Sequence, residues 1–183
     1  MKITTQSEKQ TLNLGKKIAK QLKGGEVIGL IGELGAGKTV FIKGLAQGLN
    51  IKKTITSPTF VLMKVYPVKS CEAGSPTAKF NRVNPINNLR QRRICLGRKQ
   101  STINNFIHVD AYRLKSAQDL IDIGIKDYLS KKTAVTVIEW ADQVKNILPK
   151  NRILVKIKMG RNPNQRIFEI NNQYGKSVRV QRT

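Results

Sequence analysis

An eight-residue segment, GELGAGKT at residues 32–39, constrains this chain more than any other. It matches the pattern G-x-x-x-x-G-K-[ST], follows the apolar run Val27–Ile31 and precedes a segment with helical periodicity that extends to about Leu49. A strand, a glycine-rich turn and a helix in this order form a phosphate-binding loop (P-loop). The glycines let successive backbone N–H groups face the phosphates, and the helix adds the positive end of its dipole. The sequence therefore predicts nucleotide binding.

The P-loop pattern also assigns roles to individual side chains. Lys38 is placed to reach the β- and γ-phosphates, and the hydroxyl of Thr39 is placed to bind Mg²⁺. The other contacts to the nucleotide come from the loop and from the start of the helix. The predicted nucleotide-binding residues of this segment are Glu33, Leu34, Gly35, Ala36, Gly37, Lys38, Thr39 and Val40.

The order of predicted strands and helices indicates an α/β fold. A strand at residues 2–4 precedes a helix that begins after Ser7 and extends to about Lys23, where Gly24 and Gly25 end it. The run at residues 27–31 is apolar on both faces, as in a central parallel strand. Further strands are predicted at residues 61–66, 106–109, 133–138, 152–158 and 166–170. We expect one three-layer P-loop NTPase domain over residues 1–183, with a mostly parallel central sheet and antiparallel additions at its ends.

Two of the 11 acidic residues, Asp110 and Glu139, directly follow apolar strands. Ligands of such sheets bind at the carboxyl ends of the strands, so both acids are expected beside the P-loop. Hydrolysis needs a carboxylate in the magnesium shell and a group that positions water. We therefore predict Glu139, Asp110 and Lys38 as catalytic residues and Thr39, Glu139 and Asp110 as Mg²⁺ ligands. The alternatives are a surface acid for Glu139, and a helix N-cap or a salt bridge to Arg113 for Asp110.

Four further residues allow two interpretations each. Ser57 and Thr59 precede a strand, where they form either a switch loop that senses the γ-phosphate or an ordinary Ser-Pro-Thr turn. Thr59 is included among the predicted nucleotide-binding residues. His108 lies on a strand, where a packed or hydrogen-bonded histidine is commoner than a catalytic one. Trp140 is predicted to pack at the core or rim rather than to stack on a base.

A net charge of +23, from 34 basic and 11 acidic residues, makes an acidic partner such as RNA the physical candidate, with a well-solvated lysine-rich surface as the alternative. Residues 69–102 show no helical or strand period and carry eight basic residues against one acid, a net +7. We predict a flexible basic insertion between two strands, either dispensable for the chemistry or an added RNA-contacting arm. Cys71 and Cys95 lie inside it and are expected to be free thiols, as in a reducing compartment.

The sequence predicts a soluble protein of the cytoplasm. No stretch approaches the roughly 18 apolar residues that a membrane-spanning helix needs. The N-terminal residues also lack an apolar signal region.

Four motifs, in this order, resemble those of the bacterial TsaE family, the small ATPase of tRNA threonylcarbamoyladenosine biosynthesis. They are the P-loop, Thr56-Ser-Pro-Thr-Phe60, His108-Val-Asp-Ala-Tyr-Arg-Leu114 and Ile138-Glu-Trp140. The resemblance spans nearly the whole chain except the basic insertion, since the corresponding connection is short in the family.

This resemblance implies a cytoplasmic, magnesium-dependent P-loop ATPase. It would act with the threonylcarbamoyl-transferase complex, of TsaD and TsaB type, on adenosine 37 of certain tRNAs, with tRNA contacted either directly or through the complex. Lys38 and Thr39 would serve phosphate and magnesium, Asp110 and Glu139 would complete the metal and water site, and Thr59 would belong to the nucleotide-sensing loop.

Two other functions remain open from the residues alone. A small-molecule or nucleotide kinase would use the same loop and would transfer phosphate to an acceptor instead of water. A non-enzymatic RNA-binding module would owe its affinity to the basic charge and would bind RNA in a strongly salt-dependent way.

Overall fold

Seven strands and four α-helices form the part of the chain that the computed structural model describes, residues 1–68, 102–114 and 116–174. A single 3₁₀ turn, Lys145–Ile147, lies between β5 and β6. In chain order the elements are β1 (Lys2–Thr5), α1 (Glu8–Ala19), β2 (Val27–Ile31), α2 (Lys38–Gly48), β3 (Met63–Pro67), β4 (Asn105–Asp110), α3 (Ala117–Asp122), α4 (Lys126–Leu129), β5 (Ala134–Glu139), β6 (Ile153–Met159) and β7 (Arg166–Asn172).

The strands form one sheet in the order β1-β7-β6-β2-β5-β4-β3. The four central strands, β6, β2, β5 and β4, run parallel to one another. The outer strands β3, β7 and β1 pair in the antiparallel direction. This arrangement confirms the predicted α/β fold with a parallel centre and antiparallel additions at both ends.

Each face of the sheet is covered by its own apolar core. On one face, α1 and α2 contribute Leu14, Ile18, Phe41 and Leu45 to a cluster with residues of the central strands. On the other face, Leu120 of α3 and the segments that flank α4 and follow β5 bury Ile107, Val109 and Ile138. Helical layers on both faces complete the three-layer architecture. Because both faces are buried, the central strands are apolar throughout, as the sequence of Val27–Ile31 indicated.

Two element boundaries differ from those predicted. The helix α1 ends at Ala19 rather than near Lys23, because the next amides bond to carbonyls three residues back and the Glu26 carboxylate then accepts bonds from the amides of Lys23 and Gly24. The third strand begins at Met63 rather than at residue 61. Leu62 has a left-handed backbone (φ 61°), and a turn closed on the Pro58 carbonyl precedes it.

The predicted basic insertion lies, apart from Thr102, outside the described residues, as do both cysteines. Its two flanking strands are antiparallel neighbours, and the Val68 amide donates to the Asn104 carbonyl at 2.8 Å. The chain therefore leaves and re-enters the sheet at the same place. Within the described residues, no helix has both the length and the apolar character that crossing a bilayer requires.

Candidate functional site

The P-loop connects the carboxyl end of β2 to the first turn of α2 through two left-handed glycines. Gly35 has φ 77° and Gly37 has φ 95°, conformations that L side chains rarely adopt. Gly37 is the N-cap of α2 and provides no side-chain cap. No side chain of the N-cap residue accepts hydrogen bonds from the first backbone N–H groups of this eleven-residue helix. These N–H groups are therefore in position to donate hydrogen bonds to a bound anion.

The Lys38 side chain folds back onto the loop. Its ammonium group donates to the carbonyl oxygens of Gly32 at 2.6 Å and Glu33 at 2.9 Å, and it lies 3.9 Å from the centre of the Trp140 ring. Burial lowers the pKa of Lys38 below its ordinary value, against the opposing effect of the carboxylates of Glu139, Asp110 and Asp142. The ammonium is thus a largely desolvated cation beside two strand-end acids.

Asp110 ends β4 and accepts hydrogen bonds on both carboxylate oxygens. The hydroxyls of Ser57 and Thr59 each lie 2.6 Å from Oδ2, and the two hydroxyls are 2.8 Å from each other. The Tyr112 amide donates to Oδ1 at 3.1 Å, which closes a local turn. The structure therefore brings the predicted switch-loop residues and Asp110 together. Within the described residues Asp110 forms no salt bridge with Arg113, whose guanidinium lies over the Phe60 ring at 4.3 Å.

Glu139 ends β5 and is hydrogen-bonded to His108. The distance between Glu139 Oε1 and His108 Nε2 is 2.8 Å, and both residues are buried. Asp110 and Glu139 are register partners on adjacent parallel strands, so their side chains leave the same face at the same edge of the sheet. Neither acid is a surface residue, which removes the surface alternative for Glu139.

Trp140 adopts a left-handed backbone conformation (φ 59°) directly after Glu139. A bulky residue there is strained by about 1–2 kcal/mol, and such strain is concentrated at functional sites. The turn places the indole ring over the Lys38 ammonium and 5.0 Å from the Tyr112 ring. Trp140 is therefore half-buried rim packing that touches the P-loop lysine, in agreement with the packing interpretation.

The donor set at this edge is suited to Mg²⁺. Carboxylate and hydroxyl oxygens are the ligands that this ion prefers, and it is usually held by one or two carboxylates together with substrate phosphates. Asp110 and Glu139 supply buried carboxylates, and Thr39 is half-buried in the first turn of α2. The described residues contain no cluster of three or more acidic, histidine or cysteine side chains, so a cage made of protein ligands alone is not formed here.

A groove of about 410 Å³ lies beside the P-loop on the side of β6. Residues 31–33, Ala36 and residues 156–159 line it. Gly32 sits against β6 so closely that a Cβ atom at this position would collide with the Ile157 carbonyl oxygen. The groove is contiguous with the loop and offers space for the part of a ligand that extends from the phosphates.

The structure places each predicted residue around one edge of the sheet. Glu33, Leu34 and Gly35 are exposed at the tip of the loop, Ala36 and Lys38 are buried, and Gly37, Thr39, Val40 and Thr59 are half-buried. Their roles toward a nucleotide or a metal stay predictions.

Sequence reasoning missed two contacts at this site. His108 bonds to Glu139, and Arg166 at the start of β7 donates to the Gly35 carbonyl at 3.3 Å. The first had a signal, since His108 and Asp110 are two residues apart on a strand and so share a face. The second depends on the hairpin returning to the P-loop, for which the local sequence holds no signal.

Comparison with known proteins places the chain among its relatives. The family model described as "Threonylcarbamoyl adenosine biosynthesis protein TsaE" matches residues 5–78 and 95–168 and leaves residues 79–94, inside the basic insertion, unmatched. The tRNA threonylcarbamoyladenosine biosynthesis protein TsaE of Treponema pallidum is 32% identical over 167 residues, covering 91% of this chain and 98% of that protein. Its namesake from Bacillus subtilis is 30% identical over 158 residues, covering 86% and 77%.

A solved structure supports the same assignment at the level of the fold. The crystal structure of Bacillus subtilis YdiB matches with a TM-score of 0.65 at 24% identity, over 97% of this chain and 88% of that one. The family model spans both strand-end acids, His108 and the whole P-loop. On this evidence the chain belongs to the TsaE family, whose members are named for tRNA threonylcarbamoyladenosine biosynthesis.

Proposed function

We propose that this protein hydrolyses ATP in a magnesium-dependent reaction, and that the turnover supports threonylcarbamoyl modification of adenosine 37 in tRNA. The observation that carries the proposal is the convergence of a P-loop lysine and two buried strand-end carboxylates at one edge of the sheet. The names of its relatives support the pathway. The geometry of the site supports the chemistry.

Phosphate binding falls to the P-loop and to Lys38. The N–H groups of the loop and of the first turn of α2 are positioned to donate to phosphate oxygens. Lys38 would exchange its bonds to the carbonyls of Gly32 and Glu33 for bonds to the phosphates. Burial removes water from around the Lys38 ammonium and lowers its pKa. The attraction between this ammonium and a phosphate bound beside it would therefore be stronger than in water. The groove beside β6 has room for the nucleoside.

Asp110 and Glu139 would have different roles in hydrolysis. Thr39, Asp110 and Glu139 would hold Mg²⁺, which when bound would neutralise charge on the phosphates. Glu139 is held by a single hydrogen bond to His108 and is the better placed acid to orient a water molecule. Asp110 holds Ser57 and Thr59, so a change at the Asp110 carboxylate would be transmitted to the loop that carries Thr59.

The partners follow from the pathway. We propose that the protein acts in the cytoplasm with the threonylcarbamoyl-transferase complex, of TsaD and TsaB type, and meets tRNA directly or through that complex. A net charge of +23 is suited to work beside an RNA substrate. ATP hydrolysis by the isolated chain is expected to be weak, and the complex is expected to raise it.

The test is phosphate release from ATP by wild type, Lys38→Ala and Glu139→Ala, each with and without the transferase proteins. Lys38→Ala should weaken nucleotide binding and abolish turnover. Glu139→Ala should bind nucleotide and lose turnover by on the order of 100-fold or more, the usual effect of losing a catalytic acid or base. Lys17→Ala and Glu8→Ala, which change exposed residues of α1, are the matched controls and should behave as wild type.

Other outcomes point to the alternatives. If Glu139→Ala hydrolyses ATP like wild type while still engaging its partners, the catalytic assignment is wrong. Transfer of the phosphate to an added acceptor instead of water would indicate a kinase. Salt-dependent RNA binding that survives Lys38→Ala, without any nucleotide turnover, would indicate an RNA-binding module.

A further inference from the structure

We propose that His108 is a positioning residue that holds the Glu139 carboxylate in its working orientation. The inference rests on the proposed function, because it assigns Glu139 a role in hydrolysis. His108 itself lies behind Glu139, two register pairs back from the pair of Asp110 and Glu139, opposite Val137. It therefore acts through the carboxylate and not on a substrate.

Burial and distance define the contact. The imidazole side chain is completely buried and that of Glu139 is 4% exposed, and the bond between Nε2 and Oε1 is 2.8 Å long. The strand register aligns Asp110 with Glu139, so the Glu139 side chain must fold back toward the interior to meet His108. The hydrogen bond engages Oε1 and fixes the direction of the carboxylate group.

The hydrogen-bond chemistry assigns the direction of this bond. An ionised carboxylate only accepts, so Nε2 carries the proton and donates it. The other ring nitrogen, Nδ1, is buried and has no hydrogen-bond partner within the described residues. The bond to Glu139 is therefore the polar interaction that compensates for burying the ring at this position.

A packing role alone does not account for this arrangement. Three neighbouring positions on the same face of the strands, Phe106, Val135 and Val137, are apolar and buried, and Lys64, Asp110 and Glu139 are the polar neighbours on that face. An apolar side chain at residue 108 would complete that cluster without a buried, unpaired nitrogen atom. A histidine is useful here because it can hold a glutamate that otherwise rotates about three side-chain bonds.

Kinetics of two variants test the inference. His108→Leu keeps an apolar side chain of similar length and removes the donor, and should lower kcat for ATP hydrolysis by about 10- to 100-fold, the usual range for residues that orient a metal ligand. KM for ATP should change less than about twofold, because phosphate binding rests on the P-loop. His108→Gln restores an N–H donor near the Nε2 position and should recover most of the lost kcat. Phe106→Leu, on the same face of β4, is the packing control and should lower Tm while keeping kcat.

A spectroscopic measurement on the nucleotide-free protein tests the contact without turnover. His108 is the one histidine of the chain, so the imidazole ¹⁵N signals of an untagged protein belong to it alone. We expect Nε2 to carry a proton that exchanges slowly with water. Glu139→Gln should shift that proton signal, because it replaces a charged acceptor by a neutral one.

The outcomes separate this inference from the proposed function. An unprotonated Nε2, or wild-type kcat in His108→Leu, overturns the positioning role even if Glu139→Ala is inactive. The inference is also overturned if Phe106→Leu loses as much kcat as His108→Leu, or if His108→Gln recovers nothing at equal Tm. Full activity of Glu139→Ala, or a wild-type protein that never hydrolyses ATP, overturns the proposed function and the positioning role with it.

Discussion

Asp110 bonds two hydroxyl groups of the loop that precedes β3, and this makes it a structural anchor in the ligand-free protein. Ser57 and Thr59 both donate to the same carboxylate oxygen at 2.6 Å. Bonds to a charged acceptor contribute about 1.5–3 kcal/mol each when they are formed away from solvent, and less for half-buried donors. Asp110 thus holds the loop before β3 together with Lys64, whose ammonium donates to the Thr56 hydroxyl at 2.8 Å.

We expect Asp110→Ala to lower the free energy of unfolding by about 2–3 kcal/mol in the absence of nucleotide, because both hydroxyls and the Tyr112 amide lose their acceptor. Denaturant-induced unfolding of the two proteins measures the difference. Asp122→Ala, at an exposed aspartate of α3, is the matched control and should stay within about 0.5 kcal/mol of wild type. A loss no greater than that of the control would show that the hydroxyls do not depend on Asp110.

At the scale of elements, α1 and α2 approach so closely that glycines form their contact. A Cβ atom on Gly44 would collide with the Leu12 carbonyl oxygen, and one on Gly15 would collide with the Phe41 carbonyl oxygen. Lys38 and Thr39 lie in the first turn of α2, so this contact also fixes the backbone position of the P-loop lysine. Helix packing and site geometry are therefore coupled through the backbone.

We expect Gly44→Ala to destabilise the protein by about 1–3 kcal/mol, because overpacking against a backbone outweighs the gain of about 1 kcal/mol in helix propensity. Thermal and denaturant unfolding measure it. Gln47→Ala, at an exposed position of the same helix, makes a smaller gain in propensity without the collision and should be neutral or slightly stabilising. A stabilised Gly44→Ala would mean that α1 and α2 can move apart at little cost.

Local patterns explain which parts of this fold were predictable. The P-loop and β2 are contiguous in sequence, and the predicted strand at Val27–Ile31 agrees with the structure residue for residue. The contacts that build the acidic edge are long-range: His108 and Glu139 are 31 positions apart in sequence, and Thr59 and Asp110 are 51 positions apart. They depend on β3, β4 and β5 being neighbours in the sheet, which periodicity within each strand does not determine. The two acids could be placed at the edge by a general rule of parallel sheets, but their hydrogen-bond partners could not.

For the whole molecule, the described residues that flank the basic insertion lie at the opposite ends of the strands from the P-loop. The P-loop, Asp110 and Glu139 all follow the carboxyl ends of parallel strands. The insertion enters β4 at its amino end, near Asn105, which is separated from Asp110 by the length of the strand, about 17 Å. Its ends are already joined by the bond between Val68 and Asn104. A shorter connection can therefore close the same pair of strands.

We expect a variant that lacks residues 79–94, the segment unmatched by the family model, to fold and to hydrolyse ATP with wild-type kcat and KM. Closing a shorter loop between strand ends that already touch costs no more entropy than closing the present one, and no predicted site residue is removed.

The deleted segment carries five basic residues, Lys79, Arg82, Arg90, Arg92 and Arg93. Measuring tRNA affinity against salt concentration in both proteins separates the two interpretations of the insertion. The slope of the logarithm of the binding constant against the logarithm of the salt concentration becomes shallower by about 0.9 for each phosphate contact that is lost on a duplex. An unchanged slope and undiminished tRNA modification would show that the segment is dispensable. A shallower slope with unchanged ATP hydrolysis would identify it as an RNA-contacting arm. A fall in kcat in the absence of tRNA would contradict the separation of the two strand ends.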